Sequence, residues 1–468
     1  MEFYSFITFC CTRSPTGRAP SPCLLKPGSA GRVLAPGCLL PERFRPLAYP
    51  PLAQPSLAPA SPADGSLALP YALTPLSPQD PGLRRAIHGY STAGTWRRLA
   101  FRAGQVGLEI AGALPRDLRR ALGGGVPPLR RLEPGLDPRP GGGSVALYVH
   151  YAASGQVSEM VRRQLAGLAA GGFAVVFITM SGTVPEADWQ AARQHCALVA
   201  QRHNFGRDFG AWQELAAEAA RRWPGATELL LANDSVLGPI LPLPPVLAAM
   251  RAGGDGLFGL TESIQGGPHL QSYFLLARGA AATGDLFGFL AAMRMSHSKW
   301  LVVQRGELRL ARWMRGRGHR VAALFGYHRL VAAALAVAEE RARLAASHPL
   351  LRGMEALPPA GREALLLSQP LNPTHHFWHA LVRQLGFPFL KTELVRRNPG
   401  RLPGVEAWRA LLPADAAAPE AAAPALSPVT SPVPAAVIEA HLRIMDAPAA
   451  EKETPAASGA GQESRHAA

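Results

Sequence analysis

Four short runs of continuous apolar residues, spaced by three stretches of helical periodicity, constrain this chain more than any other feature. SVALYVHY (144–151), FAVVFITM (173–180), CALVAQ (196–201) and ELLLAN (228–233) are the runs. Between them lie a stretch from about Val157 to Ala170, with Met160, Leu165 and Leu168 on one face, then Pro185–Gln194 and Asp208–Trp223. A strand that is apolar on both sides must be covered on both sides. Strands separated by helices are joined by crossovers and therefore run parallel. The expected fold is α/β, a mostly parallel sheet sandwiched by helices, and such a sheet carries its chemistry in the loops beyond the carboxyl ends of its strands.

Past Asn233 the pattern loosens. GLFGLTES (Gly256–Ser263) and HLQSYFLLA (His269–Ala277) read as strands joined by a Gly-Gly-Pro turn, and helical material is expected from Gly279 to about Ala346. NPTHHFWHALVRQLGFPFLKTELVRRNP (Asn372–Pro399) closes the ordered region, so one domain is expected over 144–400 with a helical C-terminal part. Of the 45 prolines, 22 precede residue 141, and residues 1–83 carry no sustained periodicity, so an unstructured extension is expected there. An Ala/Pro-rich linker and tail is expected over 401–468, disordered from about Ala414. Residues 84–143 form a basic helical or linker segment. Within it, Arg97–Arg120 mixes arginines with Leu, Phe, Val and Ile at helical spacing, which suits either a helix packed on the domain or one resting on an anionic membrane. Pro115 and the glycines at 123–125 interrupt the pattern.

The formal charge is +15, yet only 4 of the 48 basic residues are lysines. There is no lysine block and no interleaving of arginine with aromatics, so a nucleic-acid partner is not expected. The longest apolar runs, such as Leu330–Ala338, fall short of the roughly 20 residues that cross a bilayer. The start, MEFYSFITFCC, has Glu2 and no basic residue ahead of its apolar stretch, unlike a secretory signal. Four of the five cysteines (Cys10, Cys11, Cys23, Cys38) crowd the Pro-rich start and frame neither disulfides nor a zinc site. The expected location is cytoplasmic, with peripheral contact at the inner face of the membrane if the basic helix takes its second role.

Four constellations carry polar residues to strand ends. In RHNFGRDFGAW (202–212), glycine permits close backbone approach to a ligand, the helix start favours an anion, and Arg207 offers a planar fork for phosphate. Asp208 is suited to capping that helix or accepting a sugar or base hydrogen bond. In LLLANDSVLGP (229–239), Asn233, Asp234 and Ser235 follow an apolar strand directly. A carboxylate there can hold a divalent cation bridging a nucleotide-sugar's phosphates, and the competing reading is an Asx-turn. In GLTES…HLQSYF, Glu262 and His269 are candidates for the base that takes an acceptor hydroxyl's proton, and Gln271 and Ser272 suit sugar hydroxyls, though a half-buried strand has the same texture. In NPTHHFWH, Asn372 and Pro373 start a helix. His375 and His379 stand four apart and could share a metal, pack, or touch an acceptor. No glutamate follows the first histidine, so the metalloprotease arrangement is absent. Lys391 and Glu393 either reach a phosphate or sugar or pair with each other.

These four motifs, in this order, resemble the rhamnan-synthesis protein F family, bacterial polysaccharide-assembly proteins grouped with the GT-A glycosyltransferases. The resemblance spans about residues 144–400. It implies transfer of rhamnose from a dTDP-linked donor onto a growing cell-surface polysaccharide or lipid-linked glycan. By motif, Asn204, Gly206, Arg207 and Asp208 would lie at the donor, and Asn233, Asp234 and Ser235 at a Mg²⁺ or Mn²⁺ ion and the diphosphate. Asp234 occupies the place of the family's short acidic motif, which normally has two carboxylates. The resemblance leaves the catalytic base open, and Glu262 is chosen for its position at a strand end. The competing class is a binding module that holds nucleotide-sugar or glycan on the same scaffold without turnover.

Overall fold

The computed structural model describes residues 71–78, 93–123, 128–139, 141–368, 370–413 and 431–448. Its strands are β1 (Thr74–Pro75), β2 (Leu129–Pro134), β3 (Ser144–His150), β4 (Ala174–Thr179), β5 (Leu198–Arg202), β6 (Glu228–Asn233), β7 (Val236–Leu237), β8 (Gly256–Ser263), β9 (His269–Leu270), β10 (Phe274–Arg278), β11 (Val321–Phe325) and β12 (Leu390–Lys391). The main sheet runs in the order β1-β11-β8-β10-β6-β3-β4-β5-β2, with β9 on β8 and a separate β7–β12 ribbon. Pairing is parallel for β3 with β4 and β6, for β4 with β5, and for β8 with β11. Strands β1, β2 and β10 run the other way. The fold is mixed α/β with a largely parallel central sheet flanked by helices, consistent with a GT-A-like fold.

The apolar runs are apolar because both faces are used. Along β3, Val145, Leu147 and Val149 face the helices Arg207–Arg222, Ala280–Ala292 and Glu307–Gly316. Ala146 and Tyr148 face Glu159–Ala170, Glu186–Arg193, Leu243–Arg251 and Tyr327–Ala336. Each of the buried Val and Leu side chains contributes about 1.5–3 kcal/mol on burial. Trp212 is fully buried and keeps its indole N–H satisfied on the Leu147 carbonyl at 3.1 Å.

Several boundaries differ from expectation. Residues 71–78 are no part of an unstructured extension, since β1 caps the sheet against β11 with Leu76 buried and Tyr71 bonded to the Gly386 carbonyl at 2.8 Å. Pro75 fits there because an edge strand needs fewer N–H donors. The rest of that extension, with the four early cysteines, lies outside the described residues. The basic segment contributes β2 as the opposite edge. Its helix, Ala93–Ala121, continues through Pro115 for 29 residues. β11 interrupts the expected helical region, and the His269–Ala277 strand is two, broken at Gln271–Tyr273. The expected tail holds a helix, Ala435–Asp446, that buries Ile438 and His441 against the domain.

Candidate functional site

The parallel register sets Val149 beside Asn233, so the residues that follow both strands meet at one sheet edge. Asp234 Oδ2 accepts the Tyr151 N–H at 2.8 Å and lies 4.0 Å from His150 Nε2. Burial pushes the Asp234 carboxyl up to about 7, the Tyr151 N–H opposes this, and the nearby Asp208 charge adds to it. His150 is held neutral, its pKa lowered to about 3 by burial and then by His441.

The turn before the helix Arg207–Arg222 supplies Asp208. Gly206 sits at φ 73°, and a Cβ there would meet Gly210 Cα and Met295 Sδ at 3.0 Å, so the glycine serves a tight, left-handed turn. Arg207 follows at φ 52°, an uncommon conformation for a residue with a side chain, which directs it outward. Asn204 and Arg207 are exposed. Asp208 turns inward and accepts from Asn233 Nδ2 at 2.8 Å. Burial raises its pKa, with Lys391 and Arg207 pulling the other way. Thus the second carboxylate near Asp234 comes from the other motif, a convergence that spacing along the chain does not reveal.

The β7–β12 ribbon pairs Lys391 with Val236 and so brings the lysine to Ser235. Lys391 Nζ donates to Ser235 Oγ at 2.8 Å, and Ser235 donates to Asn233 Oδ1. The ammonium also stands 4.6 Å from the centre of the Tyr273 ring. Burial lowers the Lys391 pKa to about 8, against the pull of Glu307, Asp208 and Glu393. From Tyr273 the network continues through Thr261, 2.6 Å away, to Gln271 Oε1 at 2.7 Å, and Gln271 Nε2 reaches Asn372 Oδ1 at 3.5 Å. Ser272 donates to Glu307, whose other oxygen is 3.5 Å from His269 Nε2. Burial alone would raise Glu307, but the bonds from His269 and Ser272 outweigh it and hold the carboxyl low.

Some expected members fall elsewhere. The two oxygens of Glu262 accept the backbone N–H groups of Ser77 (2.6 Å) and Tyr327 (2.9 Å). This carboxylate anchors the β1 segment and the start of the helix Tyr327–Ala336, so it is not free to take a proton from an acceptor. His269 is buried with Nδ1 on the Gly267 carbonyl at 2.8 Å, and acts behind Glu307 rather than at an open surface. The helix breaks at Phe377, and His379 pairs with Glu340, so His375 and His379 do not share one helical face. His375 has its pKa lowered to about 3, by burial first and then by Lys391. Sequence reasoning missed His150, Tyr151 and Glu307. The first two were marked by their place at the end of a parallel strand, whereas Glu307 sits on a helix with no local signal.

Asp208 and Asp234 suit a divalent cation of the kind that takes one or two protein carboxylates and completes its shell with phosphates and water. The supporting observation is that both carboxyls are half-buried and raised mainly by loss of solvent, with the Asp208 charge raising Asp234 further, a cost that a cation relieves. Among the described residues no group of three or more His, Cys, Asp or Glu gathers to hold a metal unaided.

No family model matches the chain. It is 27% identical over 237 residues to the virulence protein VirA of Vibrio anguillarum and to the same protein of that species' strain 775, a stretch covering 49% of this chain and 72% of each relative.

Proposed function

We propose that the protein is a glycosyltransferase that moves a sugar from a nucleoside-diphosphate donor to a glycan acceptor. The finer reading is rhamnose from a dTDP-linked donor passed to a cell-surface polysaccharide or lipid-linked glycan. One observation carries it: two carboxylates, a half-buried lysine and a row of amide and hydroxyl groups meet at the carboxyl edge of a largely parallel sheet. Asp208 and Asp234 would hold Mg²⁺ or Mn²⁺, which supplies positive charge to the departing diphosphate. Lys391, fixed by Ser235, adds a second cation for the diphosphate oxygens. Gln271, Asn372 and Ser272 present hydrogen-bonding groups of the kind that orient sugar hydroxyls. Release of nucleoside diphosphate from a panel of nucleotide-sugars, with and without Mn²⁺ or Mg²⁺, is the test. Failure of every donor to bind or turn over would refute the proposal.

The withdrawal of Glu262 into backbone bonds favours a second reading, a module that binds nucleotide-sugar without turnover. Calorimetric binding of a donor without release of its diphosphate in the presence of any glycan would select it.

A further inference from the structure

The helix Ala93–Ala121 has two unlike faces. Val106 and Ala113 are buried on the inner one. Both acidic residues of the helix also point inward. Glu109 accepts from Ser298 Oγ at 2.8 Å and the Trp300 N–H at 3.0 Å, and Asp117 accepts from Ser296 Oγ and the His297 N–H. The outer face carries Phe101, Leu108, Leu114, Leu118 and Leu122, which are 56–79% exposed. These are five of the eight large apolar side chains that stand exposed among the described residues. At 1.5 Å per residue the stripe from Phe101 to Leu122 is about 30 Å long. Arg116 and Arg119 are exposed on the same helix, and no acid interrupts the outer face.

We propose that this face docks on an anionic lipid surface, with the leucines entering the headgroup region and the arginines meeting lipid phosphates. Charge selects that occupant. The helix has six arginines against two acids, both acids are taken up by the contacts to residues 296–300, and the chain is +15 overall. A second copy docked on the same face would set arginine against arginine, whereas an anionic bilayer complements the charge and accepts the apolar stripe together. The same latch that fixes the inner face keeps the outer one presented, so docking requires no refolding of the domain.

Co-sedimentation of the full chain with vesicles of phosphatidylcholine alone, or with phosphatidylglycerol added, tests this. Binding is expected only with the anionic lipid, weakening as salt is raised because screening acts over about 8–10 Å. Arg116→Glu with Arg119→Glu should weaken it at least roughly fivefold per arginine. Leu108→Glu with Leu118→Glu should abolish it. All four positions are exposed, so circular dichroism melts should match the wild type and separate lost docking from lost folding. Equal binding to neutral vesicles, no binding to either, or anionic binding that survives both pairs of substitutions would overturn the proposal. So would self-association without lipid that Leu108→Glu with Leu118→Glu removes, which would assign the face to a second copy.

Discussion

Asp234 follows the end of β6 and Glu262 stands near the end of β8, yet their surroundings give these two carboxylates opposite work. Glu262 accepts two backbone N–H groups from segments far away in the chain, and neither partner could be read from its neighbours in sequence. Glu262→Gln should therefore lower stability on the order of 1–3 kcal/mol, because a neutral amide is a poorer acceptor and offers N–H where N–H must be received. Its turnover of donor at temperatures where the variant is folded should stay close to wild type. A large fall in turnover with an unchanged melting temperature would return Glu262 to the chemistry. The Asp234 carboxylate accepts the Tyr151 N–H and feels the nearby Asp208 charge. Asp234→Asn should fold normally while donor turnover drops on the order of 10²–10³-fold, the usual effect of removing one preorganised electrostatic group. Chelation of the wild type should give a comparable loss, and a chelation-insensitive reaction would exclude a cation held by Asp234. The candidate cluster was legible in sequence where residues follow strand ends, as at Asn233–Ser235 and, from the next motif, Asp208. It was not legible where tertiary contact alone brings a group in, as for Glu307.

At the scale of elements, the parallel strands announced themselves because burial on both faces demands unbroken apolar runs. The edges did not. β2 reads LRRLEP and β1 is two residues around a proline, since a strand paired on one side and wet on the other has no such demand. β11, VAALF, is equally at home in a helix by composition, and only its parallel pairing with β8 makes it a strand. These edges matter to stability. Deleting residues 1–83 removes β1, the buried Leu76, the Tyr71 bond to Gly386 and one of the two N–H partners of Glu262. A chain beginning at residue 84 should thus melt several degrees below one beginning at Tyr71, as expected for a loss of a few kcal/mol in a chain of this size. Coincident melting curves for the two truncations would show that β1 is an accessory to a sheet already complete without it.

For the whole molecule, buried ionisable groups make stability depend on pH in opposing ways. His150, His375 and His441 all have folded pKa values pushed below the ordinary 6.5 by burial, with His441 lowered to about 4. The unfolded chain therefore binds more protons than the folded one as pH falls below about 6.5, so these histidines withdraw stability on acidification. Asp234 acts the other way over an overlapping range. Its carboxyl is raised to about 7, so the folded state gains a proton first and is favoured as pH falls from 7 toward 4. The sum over all groups is not diagnostic, but a difference between two chains is. His441 Nδ1 lies 2.8 Å from Ser158 Oγ, and this joins the helix Ala435–Asp446 to the start of the helix Glu159–Ala170. In His441→Gln the contribution of that imidazole disappears. The stability of wild type relative to this variant should be greatest and flat above about pH 6.5, decline through the interval down to about 4, and flatten again below it. The total change should be up to about 3 kcal/mol, the equivalent of the pKa difference. Urea unfolding of both proteins across that interval measures it. A difference independent of pH would mean that His441 is solvated when folded, with the C-terminal helix released from the domain in solution.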